Sequence, residues 1–265
     1  MSIKKDANGR RYVEAEVEVH GTPEQVWEAI ATGQGVSSWF VPTEIRDDGS
    51  VVSHFGPGMD AVARQTSWEP PHRFAAEGEM QPGAPKLATE WIVEAKSGGT
   101  CIVRVVHSMF TDRDDWDDQL EGIEKGWPTF FEILRRYLIH YSGQPCAPFQ
   151  HMGMGHGTAA ETWNALAEKL GVKGVVLGQH ISLAPSVPAL AGIVELVGDE
   201  GHNHQVLLRL DAPGPGLAHI YAIAMGPAVF IAMRFFYYGD DAYAIASSEE
   251  PRWQAWLQEH FPMTM

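Results

Sequence analysis

The chain has 265 residues, with 19 Lys+Arg against 34 Asp+Glu and a formal charge of −15. Apolar residues make up 45% and charged residues 20%, a composition that can bury a core and excludes a disordered chain. The acidity excludes nucleic acid and anionic membrane surfaces as partners, since both need clustered Lys/Arg. Two cysteines, Cys101 and Cys146, are too few for a disulfide framework and point to a reducing compartment. The N-terminus turns polar without an apolar run of the secretory kind, so a cytoplasmic protein is expected.

The first predicted element is a strand. Val13, Ala15, Val17 and Val19 alternate with Glu14, Glu16 and Glu18, the period of a half-buried strand. Thr22-Pro23-Glu24-Gln25 then reads as a helix start, with Thr22 as N-cap, Pro23 in the first turn and Gln25 closing a capping box. Val26, Trp27 and Ile30 share one face of this helix, and a second short helix is expected over 35–40. Strand patterns follow at 50–55, 61–68, 73–80, 87–95 and 100–110, with Gly or Pro in the turns between them. A long helix is expected from Asp114 to Tyr141. Leu120, Ile123, Trp127, Phe130, Leu134, Tyr137 and Tyr141 recur along it at steps of three or four. Pro128 is expected to kink or split it. The acidic run 112–118 suits a helix N-terminus, where the dipole favours negative charge.

Residues 142–148, with Gly143, Pro145 and Pro148, read as a linker. Residues 1–145 carry 14 basic and 23 acidic residues, a net −9, and residues 146–265 carry 5 and 11, a net −6. Beyond the linker, His156-Gly157-Thr158 to Ala167 repeats His20-Gly21-Thr22 to Ala31 at a constant offset, with six of twelve positions identical. Strands are expected at 175–183, 190–197, 205–210, 218–225 and 229–238, and a final helix at 249–261. The apolar stretch 217–238 holds His219, Arg234 and a central Gly226-Pro227, so two strands joined by a turn are expected and no membrane span. The whole reads as two copies of one plan: strand, helix, antiparallel sheet, helix.

The first half resembles a known superfamily. Thr22-Pro23-Glu24-Gln25-Val26-Trp27-Glu28-Ala29-Ile30 after a strand, then Val36-Ser37-Ser38-Trp39-Phe40, is similar to the opening of SRPBCC (START-like, helix-grip) proteins. It is closest in kind to the branch of the activator of the 90-kDa heat-shock-protein ATPase. Trp68-Glu69-Pro70-Pro71-His72-Arg73-Phe74, the stretch from Gly99 to Phe110 and Gly126-Trp127 fit the same branch. The resemblance implies an α+β helix-grip fold, a curved antiparallel sheet wrapped on a long C-terminal helix with a cavity between them. With the repeat, two copies in tandem are expected, at 1–145 and 146–265. The second half lacks the Trp-Phe pair and a clear Pro-Pro turn. Members of the superfamily bind apolar small molecules or lipids, act as cyclases or dehydratases, or serve as co-chaperones.

In such a fold the cavity is lined by alternate strand residues and one helix face. Trp91 and Val93 form one expected row, Val103, Val105, His107 and Met109 the next, and Trp127, Phe130, Phe131 and Leu134 the helix side. An apolar wall with one or two polar groups is the usual composition of a ligand site, and it is equally that of a filled core. No catalytic set is evident. His107 is the best polar group for an acid/base role, its plain alternative being a hydrogen-bonded core histidine. His54 and Glu90 have no nucleophile paired with them in sequence.

His151-Met152-Gly153-Met154-Gly155-His156 has soft-metal donors, but its spacing matches no common metal site. Gly153, Gly155 and Thr158 fail the dinucleotide fingerprint, and neither a phosphate loop nor a serine-nucleophile elbow occurs. No metal and no cofactor are expected. The expected ligand is an apolar small molecule or lipid. A cyclase or dehydratase using His107, and a module acting on a chaperone ATPase, are the alternatives.

Overall fold

The computed structural model describes residues 3–6, 9–56, 58–79, 84–111, 116–198, 204–226 and 228–263. Met80, residues 112–115 and Pro227, all used in the sequence reading, lie outside the described residues. The chain divides into two compact units, residues 1–143 and 144–265.

The first unit runs β1 (Lys4–Lys5), β2 (Arg10–His20), α1 (Pro23–Ala31), α2 (Gly33–Ser37), β3 (Thr43–Ile45), β4 (Ser50–His54), β5 (Asp60–Glu69), β6 (Arg73–Glu79), β7 (Lys86–Lys96), β8 (Thr100–Phe110) and α3 (Asp117–His140). Its strands form one antiparallel sheet in the order β1-β2-β8-β7-β6-β5-β4-β3. The second unit runs β9 (Cys146–Gly155), α4 (Ala159–Leu170), β10 (His180–Ser182), β11 (Ala191–Val197), β12 (His204–Ala212), β13 (Gly216–Met225), β14 (Ala228–Tyr238) and α5 (Ala242–His260). Its sheet order is β10-β11-β12-β13-β14-β9. In each unit the first long strand pairs with the last, β2 with β8 and β9 with β14, and the final helix packs on that long strand. This is a helix-grip fold in tandem.

Local chemistry explains both openings. Thr22 accepts from the Gln25 amide at 3.3 Å while the Gln25 side chain accepts from the Thr22 amide at 3.0 Å. Thr158 and Glu161 repeat the box at 3.2 and 2.8 Å. Each box satisfies two orphan donors of a helix start. Thr158→Ala is therefore expected to cost the second unit about 1 kcal/mol, measured by denaturant unfolding.

The β2–β8 register sorts the charge. Val17 faces Val103 and Glu16 faces Arg104, so the apolar set points to the α3 face of the sheet and the charged set away from it. On that outer face Arg104 pairs with Glu16 at 3.1 Å, Lys96 with Glu18 at 2.7 Å and Arg73 with Glu90 at 2.6 Å. Much of the first unit's acidity is thus held in cross-strand pairs. Helix α3 is tied to β2 at both ends. Buried Arg11 forms an ion pair with Asp117, and Arg135 Nε donates to the Glu18 carbonyl at 3.1 Å.

Several expectations change. Helix α3 runs through Pro128 unbroken, with Pro128 on its exposed side. The predicted linker overreaches, because Cys146–Pro148 already belong to β9. That strand is a sheet edge, which tolerates a proline. The strand expected over 175–183 shrinks to His180–Ser182. Gly174 and Gly178 adopt φ of +74° and +79° before it, leaving Val176 and Leu177 exposed. The last helix starts at Ala242 rather than 249 and carries Pro251 inside it. The apolar stretch 217–238 is the β13–β14 pair, and no described helix is long and apolar enough to cross a membrane.

Candidate functional site

The register of β7 and β8 puts Trp91 opposite Val105, Val93 opposite Val103 and Thr89 opposite His107, all on the face that carries α3. Of the ten residues expected to line a cavity, Trp91, Val93, Val103, Val105, His107, Met109, Trp127, Phe131 and Leu134 are buried, and Phe130 is partly exposed. Trp127 is the hub. Its ring meets Trp91 edge-on at 5.1 Å, Phe131 at 5.4 Å and Phe130 at 5.9 Å. Met109 stands apart from this hub and packs with Val13 and Leu120.

Two residues missing from the predicted wall complete it. Phe40, in the loop after α2, stacks on Trp127 at 5.5 Å and meets Phe130 edge-on at 4.6 Å. Trp39 meets Trp91 at 6.0 Å and donates its indole N–H to the Ala29 carbonyl at 2.8 Å, which fixes the loop to α1. Phe55, 36% exposed, extends the set outward by an edge contact with Phe40 at 5.8 Å. The wall therefore grades from buried Trp39, Trp91 and Trp127 to a partly exposed rim of Phe40, Phe55 and Phe130. The Trp39-Phe40 pair was visible as a motif; its place in the wall needed the loop's path.

His107 is the polar centre of the wall. Trp127 Nε1 donates to His107 Nε2 at 2.9 Å, and His107 Nδ1 lies 3.0 Å from Thr89 Oγ1. Burial pushes its pKa down to about 4, so the ring is neutral at pH 7. With both ring nitrogens engaged, the arrangement suits orientation better than proton transfer. His54 sits on β4, with Nδ1 2.8 Å from Asp60, and Glu90 faces the opposite side of the sheet in its pair with Arg73. His151 lies on β9 with Nε2 3.1 Å from the Glu250 carbonyl. Among the described residues no group of three or more His, Cys, Asp and Glu is placed to hold a metal.

An open cleft of about 370 Å³ lies at one edge of the same face, between the α1–α2 turn and the β3–β5 strands. A register shift between Gln65 and Ser67 brings Gln65 and Trp68 to one side of β5, where both line it.

Residues 10–132 match the family model described as polyketide cyclase/dehydrase and lipid transport. The first unit belongs to the SRPBCC superfamily. The chain is also similar to three solved structures. The di-domain ARO/CYC protein BexL, from the BE-7585A biosynthetic pathway, is 11% identical over 96% of this chain and 100% of its own, with a TM-score of 0.45. DynU16, from the dynemicin biosynthetic locus, is 16% identical over 84% of this chain and 86% of its own, at 0.43. The Aha1 dimer from Colwellia psychrerythraea is 17% identical over 48% of this chain and 95% of its own, at 0.40. No curated protein matches the chain.

Proposed function

We propose that the first unit binds a flat, apolar small molecule against the wall centred on Trp127. The observation that carries this is the graded aromatic surface, buried at Trp91 and Trp127 and partly exposed at Phe40, Phe55 and Phe130. Aromatic walls with one or two fixed polar groups are the usual make-up of small-molecule sites. The family matched by this segment, described by cyclisation, dehydration and lipid transport, supports the same reading. Val103, Val105, Val93 and Leu134 act as the floor behind the rings, and Met109 stabilises the start of α3. A cyclase or dehydratase built on His107 gains no support from its geometry, since neither nitrogen is open to a substrate. Action on a chaperone ATPase rests on the sequence resemblance alone.

Native mass spectrometry and Nile red titration test the reading. One dye per chain is expected, with quenching of tryptophan fluorescence. Phe40→Ala and Phe130→Ala are expected to weaken it about tenfold each, the value of a lost aromatic contact. A wild-type chain that takes up no dye, or variants that bind as well as wild type, would overturn it.

A further inference from the structure

The hydrogen-bond chain through His107 has a fixed direction. An indole N–H can only donate, so His107 Nε2 must be the acceptor at 2.9 Å. A neutral imidazole carries one proton, which must then sit on Nδ1. Nδ1 therefore donates across 3.0 Å to Thr89 Oγ1. The hydroxyl oxygen is used as an acceptor, and its own proton finds no acceptor among the described residues. Thr89 is partly exposed and shares its sheet face with Trp91, two residues on. Across the neighbouring strand it faces Ala76, whose side chain is small.

We infer that Thr89 is the specificity-determining contact of the site, a hydroxyl locked as donor that selects aromatic ligands bearing a carbonyl or similar neutral acceptor. The inference rests on the binding reading above and adds to it the polar group that the ligand must carry. Trp127 and His107 act through Thr89 as positioning residues: they set which way its proton points and do not meet the ligand's oxygen. A ligand that lacks the acceptor leaves the hydroxyl's proton buried without a partner, which is what makes the contact discriminate.

The test compares 9-fluorenone with fluorene, rings of the same size with and without a carbonyl, by fluorescence titration of the full chain. Wild type is expected to prefer fluorenone. Thr89→Val is expected to cut that preference about tenfold, the value of one net hydrogen bond, and Thr89→Ser to keep it. Loss of the acceptor for His107 Nδ1–H in the valine variant falls on both probes alike and cancels in the ratio. Nitrogen-15 shifts of His107 give an independent check, with Nδ1 protonated and Nε2 bare. A preference unchanged in Thr89→Val, or a proton found on Nε2, overturns the assignment while leaving apolar binding intact. Wild type binding neither probe overturns both.

Discussion

Trp127→Ala is expected to destabilise the first unit by about 3–5 kcal/mol, the range for deleting a buried aromatic ring. The ring is 5% exposed and supports contacts to Phe40, Trp91, Phe130 and Phe131 together. The alanine also leaves His107 Nε2 buried without its donor, a further cost of about 1–3 kcal/mol if no water replaces it. Trp127→Phe helps to separate the two effects, because it keeps a six-membered ring in the core and removes the N–H with the five-membered ring. It is expected to cost about 1–3 kcal/mol. Denaturant unfolding followed by near-ultraviolet circular dichroism measures both variants. A phenylalanine variant as stable as wild type would show that the indole–imidazole bond contributes nothing.

The second large effect is on pH. His107 titrates at about 4 in the folded unit against an ordinary value of 6.5, because burial penalises the charged ring. The unfolded chain therefore takes up this proton first as pH falls. The stabilisation is fully present above pH 6.5, is lost progressively between 6.5 and 4, and is flat below that. The shift is worth about 3 kcal/mol. His107→Gln removes the titration while retaining an acceptor and a donor. Subtracting its stability profile from that of wild type, both measured from pH 7.5 to 4, is expected to yield this slope. A difference profile flat across that window would mean that the ring reaches water in the folded state. His219 in the second unit is also pushed well below its ordinary value by burial and by Arg234, so the first unit's transition must be followed on its own.

The elements that depend on local rules were readable from sequence. The Thr22–Gln25 box, the alternation along 100–110 and the apolar stripe from Leu120 to Tyr137 each follow from contacts within a few residues. They recur in the structure as α1, β8 and α3. Departures came where tertiary context decided. Pro148 reads as a breaker until its strand proves to be a sheet edge. The final helix, expected at 249–261, starts at Ala242 and runs through Pro251. Within the wall, strand phase placed Trp91 and His107 on one face correctly. Phe40 and Thr89 were not named, for different reasons. The position of Phe40 depends on a loop held by a bond from Trp39 to Ala29. Thr89 was on the right face by phase, but its meaning depends on a proton direction set by Trp127, which is distant in sequence.

The two units differ at a matched pair of positions on β2 and β9. At the offset that aligns the repeat, Val17 and Val19 of β2 correspond to Gly153 and Gly155 of β9. A Cβ at Gly153 would lie 2.7 Å from the Phe261 carbonyl oxygen, and one at Gly155 would lie 2.3 Å from Thr162 side-chain atoms. The end of α5 thus rests on strand backbone, and the Met154 amide bonds the Phe261 carbonyl at 3.2 Å. In the first unit the space between helix and sheet is set by side chains, which single substitutions can reshape. At Gly153 of the second unit the end of α5 lies against main chain, so no exchange of side chains opens that contact without moving the helix. At the matched positions the first unit keeps side chains that substitution can change, and the second keeps glycine backbone that has no room for one.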